Sequence, residues 1–429
     1  MRLPFFFVPL PSMKTFRLLL TFLLLPFMMA AQVMEPANGG STNDSLLPSV
    51  QTADGMVLVV PYPELVMQRL DALVDDSLME TSQLGLLVWD LTDDMQLYAR
   101  NPRHLLRTAS TMKLLTAITA LDRLGKDYQY NTSLYYSGDI VQGQLRGDII
   151  CRGGMDPMFD RKDMEAFVQA LKNKGVTSLR GRIVTDNTMK VPDKWGEGWC
   201  WDDDNPTLVP LLIEGKPNFS EQLLKELQHA RINTTGVRVS AGTLPNDAKH
   251  LCTRSHAIGE VLKQMMKESD NLYAECTYYQ VAASSGKRPA KAKDAQTIEK
   301  DLLNKIGLDA DRYSLADGSG LSLYNYLSAE AQVALLRYAW QSPNIFQTLF
   351  PALPIAGEDG TLKRRMQDTP AQGKVWAKTG TVAGVSALSG YLVAPNGHYI
   401  AFSIINQGVK LGSEGRRFQD RVCNALCQP

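Results

Sequence analysis

The sequence predicts an α+β fold in which an antiparallel sheet, flanked by helices, is built from both ends of the chain, with a β-rich α+β domain inserted between them. Three observations predict it. Strand patterns occur near residue 85 and again beyond residue 375, with helical patterns between them. The pattern changes to short strands and turns over 131–250. The chain has 429 residues, 44% hydrophobic and 21% charged, which suits two or more packed domains.

The amino-terminal segment has the pattern of an export signal. Lys14 and Arg17 precede an apolar stretch at about 18–29, and small residues follow it. This stretch is shorter than the roughly 20 residues that a spanning helix needs. We therefore expect a cleaved signal peptide at 1–31, a flexible linker at 32–53 and no stable membrane insertion. An uncleaved anchor is the alternative.

The main domain is expected at 54–130 and 251–429. Apolar runs predict strands, and apolar residues three or four apart predict helices. After a short strand and a helix in LVVPYPELVMQRLDALVDDSL, strands are expected in LGLLVWDLT, MQLYARN, KVWAKTGT, VSALSGYLVA and HYIAFSIIN. Helices are expected from residue 110, in AIGEVLKQMMKES, in NLYAECTYYQVAAS, at 329–340 and at the carboxy terminus.

The inserted domain is expected at 131–250. TSLYYSGDIVQGQLRGDIICRGG reads as short strands joined by turns, RKDMEAFVQALKNKG as a helix and SLRGRIVTDN as a strand. Helical patterns return after residue 250. The middle of the chain is therefore expected to loop out of the sheet that the two ends build.

Charge and cysteine content narrow the classes of function. The formal net charge is zero, so we expect neither nucleic acid nor an anionic membrane surface as a partner. An even number of cysteines permits disulfides in an oxidising compartment, and their pairing stays open. They are Cys151, Cys200, Cys252, Cys276, Cys423 and Cys427. No C-x-x-C pair occurs, and we expect no cofactor and no metal.

Ser110 and Lys113 stand at the start of an apolar helix, where a spacing of three places both side chains on one face. A serine hydroxyl becomes a nucleophile when a neighbour removes its proton, and a lysine amine with a lowered pKa can do this. Backbone N–H groups at a helix start can also bind an oxyanion. The pattern predicts a nucleophile with its base. Taken alone, it also fits a serine cap and a surface lysine.

Two later motifs favour the catalytic interpretation. Ser-Asp-Asn lies between two helical runs, and Lys-Thr-Gly, which occurs once, lies on a predicted strand. They comprise Ser269, Asp270 and Asn271, and Lys378, Thr379 and Gly380. A second Ser-x-x-Lys, SSGK at 284–287, lies in a predicted loop and is not expected to be functional. The specific signal is the three motifs in order, on a helix start, a loop and a strand.

This set of motifs resembles the serine penicillin-recognising enzymes. The segments RGGMDP, GWCWDD, DGSGLSLYN and LPIAGEDGTLKRR narrow the resemblance to the class C low-molecular-mass penicillin-binding proteins, a DacB-like family of D-alanyl-D-alanine carboxypeptidases and endopeptidases. The matching segments cover about residues 80 to 405. The resemblance implies a β-lactamase/transpeptidase-like main domain, a periplasmic location, peptidoglycan stem peptides as substrates and β-lactam antibiotics as covalent inhibitors.

The resemblance also implies a role for each motif residue. Ser110 would attack the peptide carbonyl and Lys113 would be its base. Ser269 would pass a proton to the leaving amine, and Asn271 would hold the peptide amide. The residues implied for substrate binding are Lys378, Thr379, Gly380 and Thr381. Lys378 and Thr379 would bind the substrate carboxylate, and the charge of Lys378 would lower the pKa of Lys113. The backbone N–H of Thr381 would complete the oxyanion hole.

Two features of the resemblance are less specific. Asp203, within the acidic run 202–204 after two tryptophans, would bind the ammonium group of a diamino acid in the stem peptide, and an acidic turn exposed to solvent explains it equally well. DGSGLS, from Asp317, is expected to be a glycine-rich turn at the edge of the site. The chain also departs from the family: the third domain nested in the inserted one is missing, and Tyr324 replaces an arginine.

Three alternatives are open to the sequence. A β-lactamase on the same scaffold would lack the large insertion. A non-catalytic wall-binding protein would have no chemical reason to keep five site residues. A metallopeptidase would need paired histidines or H-E-x-x-H, which the sequence lacks.

Overall fold

The structure, a computed structural model, describes residues 49–51, 57–59 and 61–429. The predicted signal peptide at 1–31 lies outside the described residues, as does most of the predicted linker at 32–53. Within the described ranges, no helix combines the length and the apolar character that crossing a membrane requires.

The predicted helices are present, with bounds close to those expected. The α-helices are α1 (Tyr62–Val74), α2 (Lys113–Leu124), α3 (Arg161–Asn173), α4 (Phe219–His229), α5 (Ile258–Lys267), α6 (Asn271–Ala283), α7 (Ala292–Lys305), α8 (Ala329–Trp340), α9 (Pro343–Leu349) and α10 (Gly412–Cys427). Side chains cap several of them: Ser328 Oγ accepts the Ala331 N–H at the start of α8, and Asp270 accepts the Tyr273 N–H at the start of α6.

The strands form one central antiparallel sheet, an inserted sheet and smaller ribbons. The strands are β1 (Ser49–Gln51), β2 (Val57–Val59), β3 (Gln83–Asp90), β4 (Met95–Arg100), β5 (Leu106–Arg107), β6 (Gln129–Tyr136), β7 (Asp139–Val141), β8 (Gln144–Arg146), β9 (Ile149–Arg152), β10 (Ser178–Leu179), β11 (Arg182–Asp186), β12 (Arg238–Ala241), β13 (Lys249–Ala257), β14 (Tyr326–Leu327), β15 (Val375–Val382), β16 (Val385–Val393) and β17 (Tyr399–Gln407).

The central sheet has the order β15-β16-β17-β3-β4, and all its pairings are antiparallel. Ile400 of β17 pairs with Asp90 of β3, so strands from the two ends of the chain are neighbours. The predicted fold class, an antiparallel sheet flanked by helices and built from both ends, is therefore confirmed. β15 is an edge strand of this sheet.

Both faces of the central sheet are buried. Leu86 and Val88 of β3 join a core with Val66 of α1 and Phe418 of α10, whereas Leu87 belongs to the core that contains α2. Successive side chains of a strand point to opposite faces, so one layer of helices covers each face. The functional motifs lie on the α2 side.

Helix α2 begins three residues later than expected. Lys113 to Leu121 are all buried, as is typical of a helix in the middle of a domain. A short 3₁₀ turn at Ala109–Met112 precedes it, and this turn carries Ser110. The 3₁₀ turn leads directly into α2 at Lys113, so Ser110 and Lys113 remain on one continuous helical segment.

The segment between β6 and β13 has its own sheet and core. Its sheet has the order β12-β11-β9-β6-β13. A separate hydrophobic cluster runs from Leu134 to Ile232 and includes Phe167 of α3 and Phe219 of α4. On this basis we propose residues 131–250 as an inserted domain. The six cysteines are free thiols in the structure.

Candidate active site

Ser110 lies on a turn that is held rigidly against the central sheet. Ala109, just before it, has φ of 45°, a left-handed conformation that costs energy in a non-glycine residue. Thr111 Oγ1 donates to the Thr108 carbonyl at 2.7 Å, and Gln332 Nε2 donates to Thr111 Oγ1 at 2.7 Å. Gln332 Oε1 in turn accepts the Ser403 hydroxyl at 2.9 Å. This buried network ties the Ser110 turn to β17.

Lys113 links two of the three motifs. Its Nζ lies 2.9 Å from Ser110 Oγ, 2.8 Å from Asn271 Oδ1 and 2.8 Å from the Ser319 carbonyl oxygen. An ammonium group has three donors and satisfies all three acceptors. A neutral amine has two, which Asn271 and Ser319 occupy because neither oxygen can donate. The remaining lone pair then points at the Ser110 hydroxyl.

Burial favours the neutral form of the Lys113 amine. Lys113 is fully buried, and desolvation lowers its pKa to about 8, against the raising effects of Asp317, Glu275 and Asp270. Burial, rather than the charge of Lys378 that the resemblance also implied, is the largest cause of the lowered pKa of Lys113.

Ser269 and Lys378 form a second contact across the site. Ser269, between α5 and α6, has φ of 60°, and its Oγ accepts a hydrogen bond from Lys378 Nζ at 2.8 Å. Lys378 also donates to the Thr379 carbonyl at 2.8 Å. Burial lowers the pKa of Lys378 well below its usual value, and the charge of Lys113 lowers it further. The three motifs therefore meet in one place.

Strand β15 presents an open backbone edge at Thr379 and Thr381. The Ala377 N–H donates to Pro354 on the side away from β16, and Val375 O accepts the Ala356 N–H on that side. In a strand, N–H and C=O groups of alternate residues point to the same side. The N–H groups of Thr379 and Thr381 consequently face the unpaired edge.

Gly380 allows β15 to approach the turn that carries Ser110. A Cβ atom at this position would lie 2.7 Å from the Thr108 carbonyl oxygen and 3.2 Å from Thr111 Cγ2. Any larger residue would push strand and turn apart. On the other side of the strand, Thr379 Oγ1 lies 2.8 Å from Thr361 Oγ1, a residue of the GEDGTL segment.

The DGSGLS segment is a hydrogen-bonded turn built around Asp317. The buried carboxylate of Asp317 accepts from the N–H groups of Gly320 and Ser322, at 2.8 and 2.7 Å, and from Asn325 Nδ2 at 2.7 Å. Gly320 has φ of 79°, which favours glycine. The expected glycine-rich turn is present, and it also places the Ser319 carbonyl against Lys113.

Asp203 is not in contact with the other candidate residues. It is exposed, and its Oδ2 accepts the Cys200 N–H at 3.2 Å. Its segment is attached to the site through Trp199, whose Nε1 donates to Asp317 Oδ2 at 2.8 Å. Thr381 is likewise exposed, at the end of β15.

Sequence reasoning missed three residues that shape the site: Glu275, Gln332 and Thr361. A signal existed for Glu275, because it stands four residues after Asn271 and so on the same face of α6. Gln332 is a lone amide in the apolar run of α8. Thr361 has no local signal, since only the tertiary fold brings it to Thr379.

The fold and this arrangement, a serine hydroxyl beside a buried lysine amine, are those of a class of serine hydrolases. Residues 66–210 and 212–426 match the model of the D-Ala-D-Ala carboxypeptidase 3 (S13) family. The chain belongs to that family, as the motif resemblance predicted, and is accordingly a serine-type D-Ala-D-Ala carboxypeptidase. The metallopeptidase alternative is wrong.

Known proteins agree in sequence and in fold. The chain is 29% identical to a D-alanyl-D-alanine carboxypeptidase of Actinomadura sp. strain R39, in an alignment that covers 80% of each protein. The crystal structure of penicillin binding protein 4 (dacB) from Haemophilus influenzae matches with a TM-score of 0.75 at 22% identity, over 86% of this chain and 98% of that one. A second structure of that protein, complexed with a β-lactam, matches with a TM-score of 0.70 at 23% identity, over 86% and 100%.

Proposed function

We propose that the protein trims peptidoglycan stem peptides in the periplasm, through an acyl-enzyme formed on Ser110. The observation that carries this proposal is the position of the Lys113 amine, 2.9 Å from Ser110 Oγ and fully buried. Lys113 takes the hydroxyl proton as Ser110 Oγ bonds to the carbonyl carbon between the two terminal D-alanines. The carbonyl oxygen becomes an oxyanion, which the N–H groups of Ser110 and Thr381 stabilise.

Collapse of this intermediate releases D-alanine. The bond to the leaving nitrogen breaks, and the nitrogen takes a proton from Ser269, which recovers one from Lys113. Asn271 accepts from Lys113 through Oδ1, so its amide N–H₂ remains to hold the substrate peptide. Water then attacks the acyl-enzyme, and Ser110 regains its proton.

The substrate carboxylate is proposed to bind Lys378 and Thr379. An opposite charge favours the protonated amine, so a bound carboxylate raises the pKa of Lys378 that burial had lowered. β-Lactams, which carry a carboxylate near their acyl carbon, acylate Ser110 by the same route. Asp203 is proposed to bind the ammonium of the diamino acid.

Labelled penicillin tests the nucleophile. We expect it to acylate the purified protein at Ser110, and S110A to abolish labelling. S284A is the matched control, because Ser284 and Lys287 repeat the Ser-x-x-Lys spacing elsewhere, and it should label normally. Label that persists in S110A would move the nucleophile to another residue.

Mass spectrometry after incubation with a stem pentapeptide and with a cross-linked dimer tests the substrate. Loss of one alanine identifies carboxypeptidase action, and splitting of the dimer identifies endopeptidase action. If both substrates remain intact while penicillin binds, the chain acts as a wall-binding protein on this fold.

A further inference from the structure

Lys113 is connected to a buried glutamate through a single residue. Glu275 Oε1 accepts the N–H groups of Gly318 and Ser319, at 3.1 and 2.8 Å. The carbonyl oxygen of the same Ser319 accepts from Lys113 Nζ at 2.8 Å. The carboxyl group of Glu275 therefore fixes Ser319, and the carbonyl oxygen of Ser319 binds the lysine amine.

Both ionisable groups lie in the protein interior. Lys113 is 0% and Glu275 1% exposed. In such surroundings charges interact much more strongly than at a surface, and an uncompensated charge is costly. The protonation of one group must then affect the other. The further ionisable groups around this pair are Asp317, Asp270, Lys378, Lys190 and Glu299.

We propose that Glu275 is a positioning residue of the acylation step, which fixes the Ser319 carbonyl against Lys113 and titrates with that lysine as one coupled pair, in which the negative carboxylate favours the protonated amine. The proposal rests on the proposed function, in which Lys113 is the base. In this role Glu275, which lies four residues beyond Asn271 on α6, affects the reaction although it contacts neither the substrate nor the nucleophile.

The two groups ionise in the same pH range. Burial raises the pKa of Glu275 to about 8, and burial lowers the pKa of Lys113 to about 8. Interacting groups in one range lose their protons in two steps that belong to the pair. Once Glu275 is negative it favours the protonated lysine. The neutral amine consequently accumulates over a wider pH interval than a single lysine would show.

The test is the rate of penicillin acylation of the full chain between pH 5.5 and 9.5. E275Q keeps a carbonyl oxygen for the two N–H groups but cannot become negative. We expect equal rates for wild type and E275Q below about pH 6, where Glu275 is neutral in both. Near pH 8 the variant should be several-fold faster and should follow a one-proton curve.

E299Q is the matched control. Glu299 is also a buried glutamate, but its bond is to Thr116, and burial holds its pKa far above the usual value, so glutamine removes no charge. Its profile should keep the wild-type shape. Profiles of wild type and E275Q that superimpose, or differ by one constant factor, would overturn the proposal, since a purely structural role has no pH signature.

The wild-type profile gives a second measurement that needs no variant. Its rise should extend over a wider pH range than a one-proton curve, and a rise that fits a one-proton curve would contradict the coupled pair. These outcomes are distinct from failure of the proposed function, which would appear as penicillin label absent from wild-type Ser110.

Discussion

Gly380 on β15 faces the Thr108 carbonyl so closely that a Cβ atom would lie 2.7 Å from that oxygen. Real Cβ atoms do not come this near, and the clashing atom is a backbone oxygen, which cannot rotate away as a side chain could. The separation between the Lys-Thr-Gly strand and the turn of Ser110 is therefore set by the absence of one side chain.

G380A should move β15 away from Ser110 and slow penicillin acylation at least tenfold, because small displacements in a catalytic site have large effects on rate. Stopped-flow acylation measures it. G259A, where a Cβ would make an ordinary 3.7 Å contact, is the control and should keep full activity. Equal rates for the two variants would mean that the strand position does not matter.

K113M should lower acylation by about a hundred- to ten-thousandfold, which is what loss of a general base costs. Methionine fills similar space, but it leaves the Asn271 and Ser319 oxygens without the donor that Lys113 provides, and an unsatisfied buried acceptor costs about 1–3 kcal/mol. We therefore expect K113M to fold with a moderately lower unfolding temperature. Loss of the folded state would show that Lys113 supports the fold more than the reaction.

Binding of carboxylate substrates should weaken as the pH rises. Burial lowers the pKa of Lys378, so the amine loses its charge earlier than an exposed lysine, and the attraction for an anion is present only below that pKa. KM for a peptide ending in D-Ala-D-Ala should rise with pH, over a range below that of an exposed lysine. K378M should raise KM on the acid side of this range and remove the pH dependence, and a peptide with an amidated terminus serves as the matched substrate.

D203N should reduce kcat/KM for stem peptides that contain a diamino acid and leave substrates with a neutral residue there unaffected. An exposed ion pair contributes up to about 1 kcal/mol, or roughly fivefold in kcat/KM. D204N, in the same acidic run, is the control. If both variants behave alike, Asp203 is part of a solvated turn.

Much of the fold was predictable because its elements are long and periodic. The helix expected at 329–340 is found at Ala329–Trp340, and each expected strand of the central sheet is present. The local pattern predicts the start of α2 less well. A 3₁₀ turn carries Ser110 there, with the strained Ala109 at its start and a hydrogen bond from Gln332 to Thr111. That constraint comes from residues more than two hundred positions away.

The site was predictable in its motif residues but not in its electrostatics. Ser-x-x-Lys, Ser-Asp-Asn and Lys-Thr-Gly carry their spacing in the sequence, and the fold brings them together. The environment of Lys113 depends on how completely α2 is covered and on where Ser319 and Glu275 lie. These features depend on tertiary packing, which the spacing of motif residues in the sequence does not predict.

The pairing of β3 with β17 has a consequence for how the enzyme is made. Ile400 meets Asp90 across more than three hundred residues of chain, and contacts so distant in sequence form slowly because a long loop must close first. The central sheet cannot assemble until the last strands have been synthesised. A chain that is still emerging from the ribosome therefore has all three motifs but no catalytic cleft, and hydrolytic activity should be among the last properties to appear during maturation.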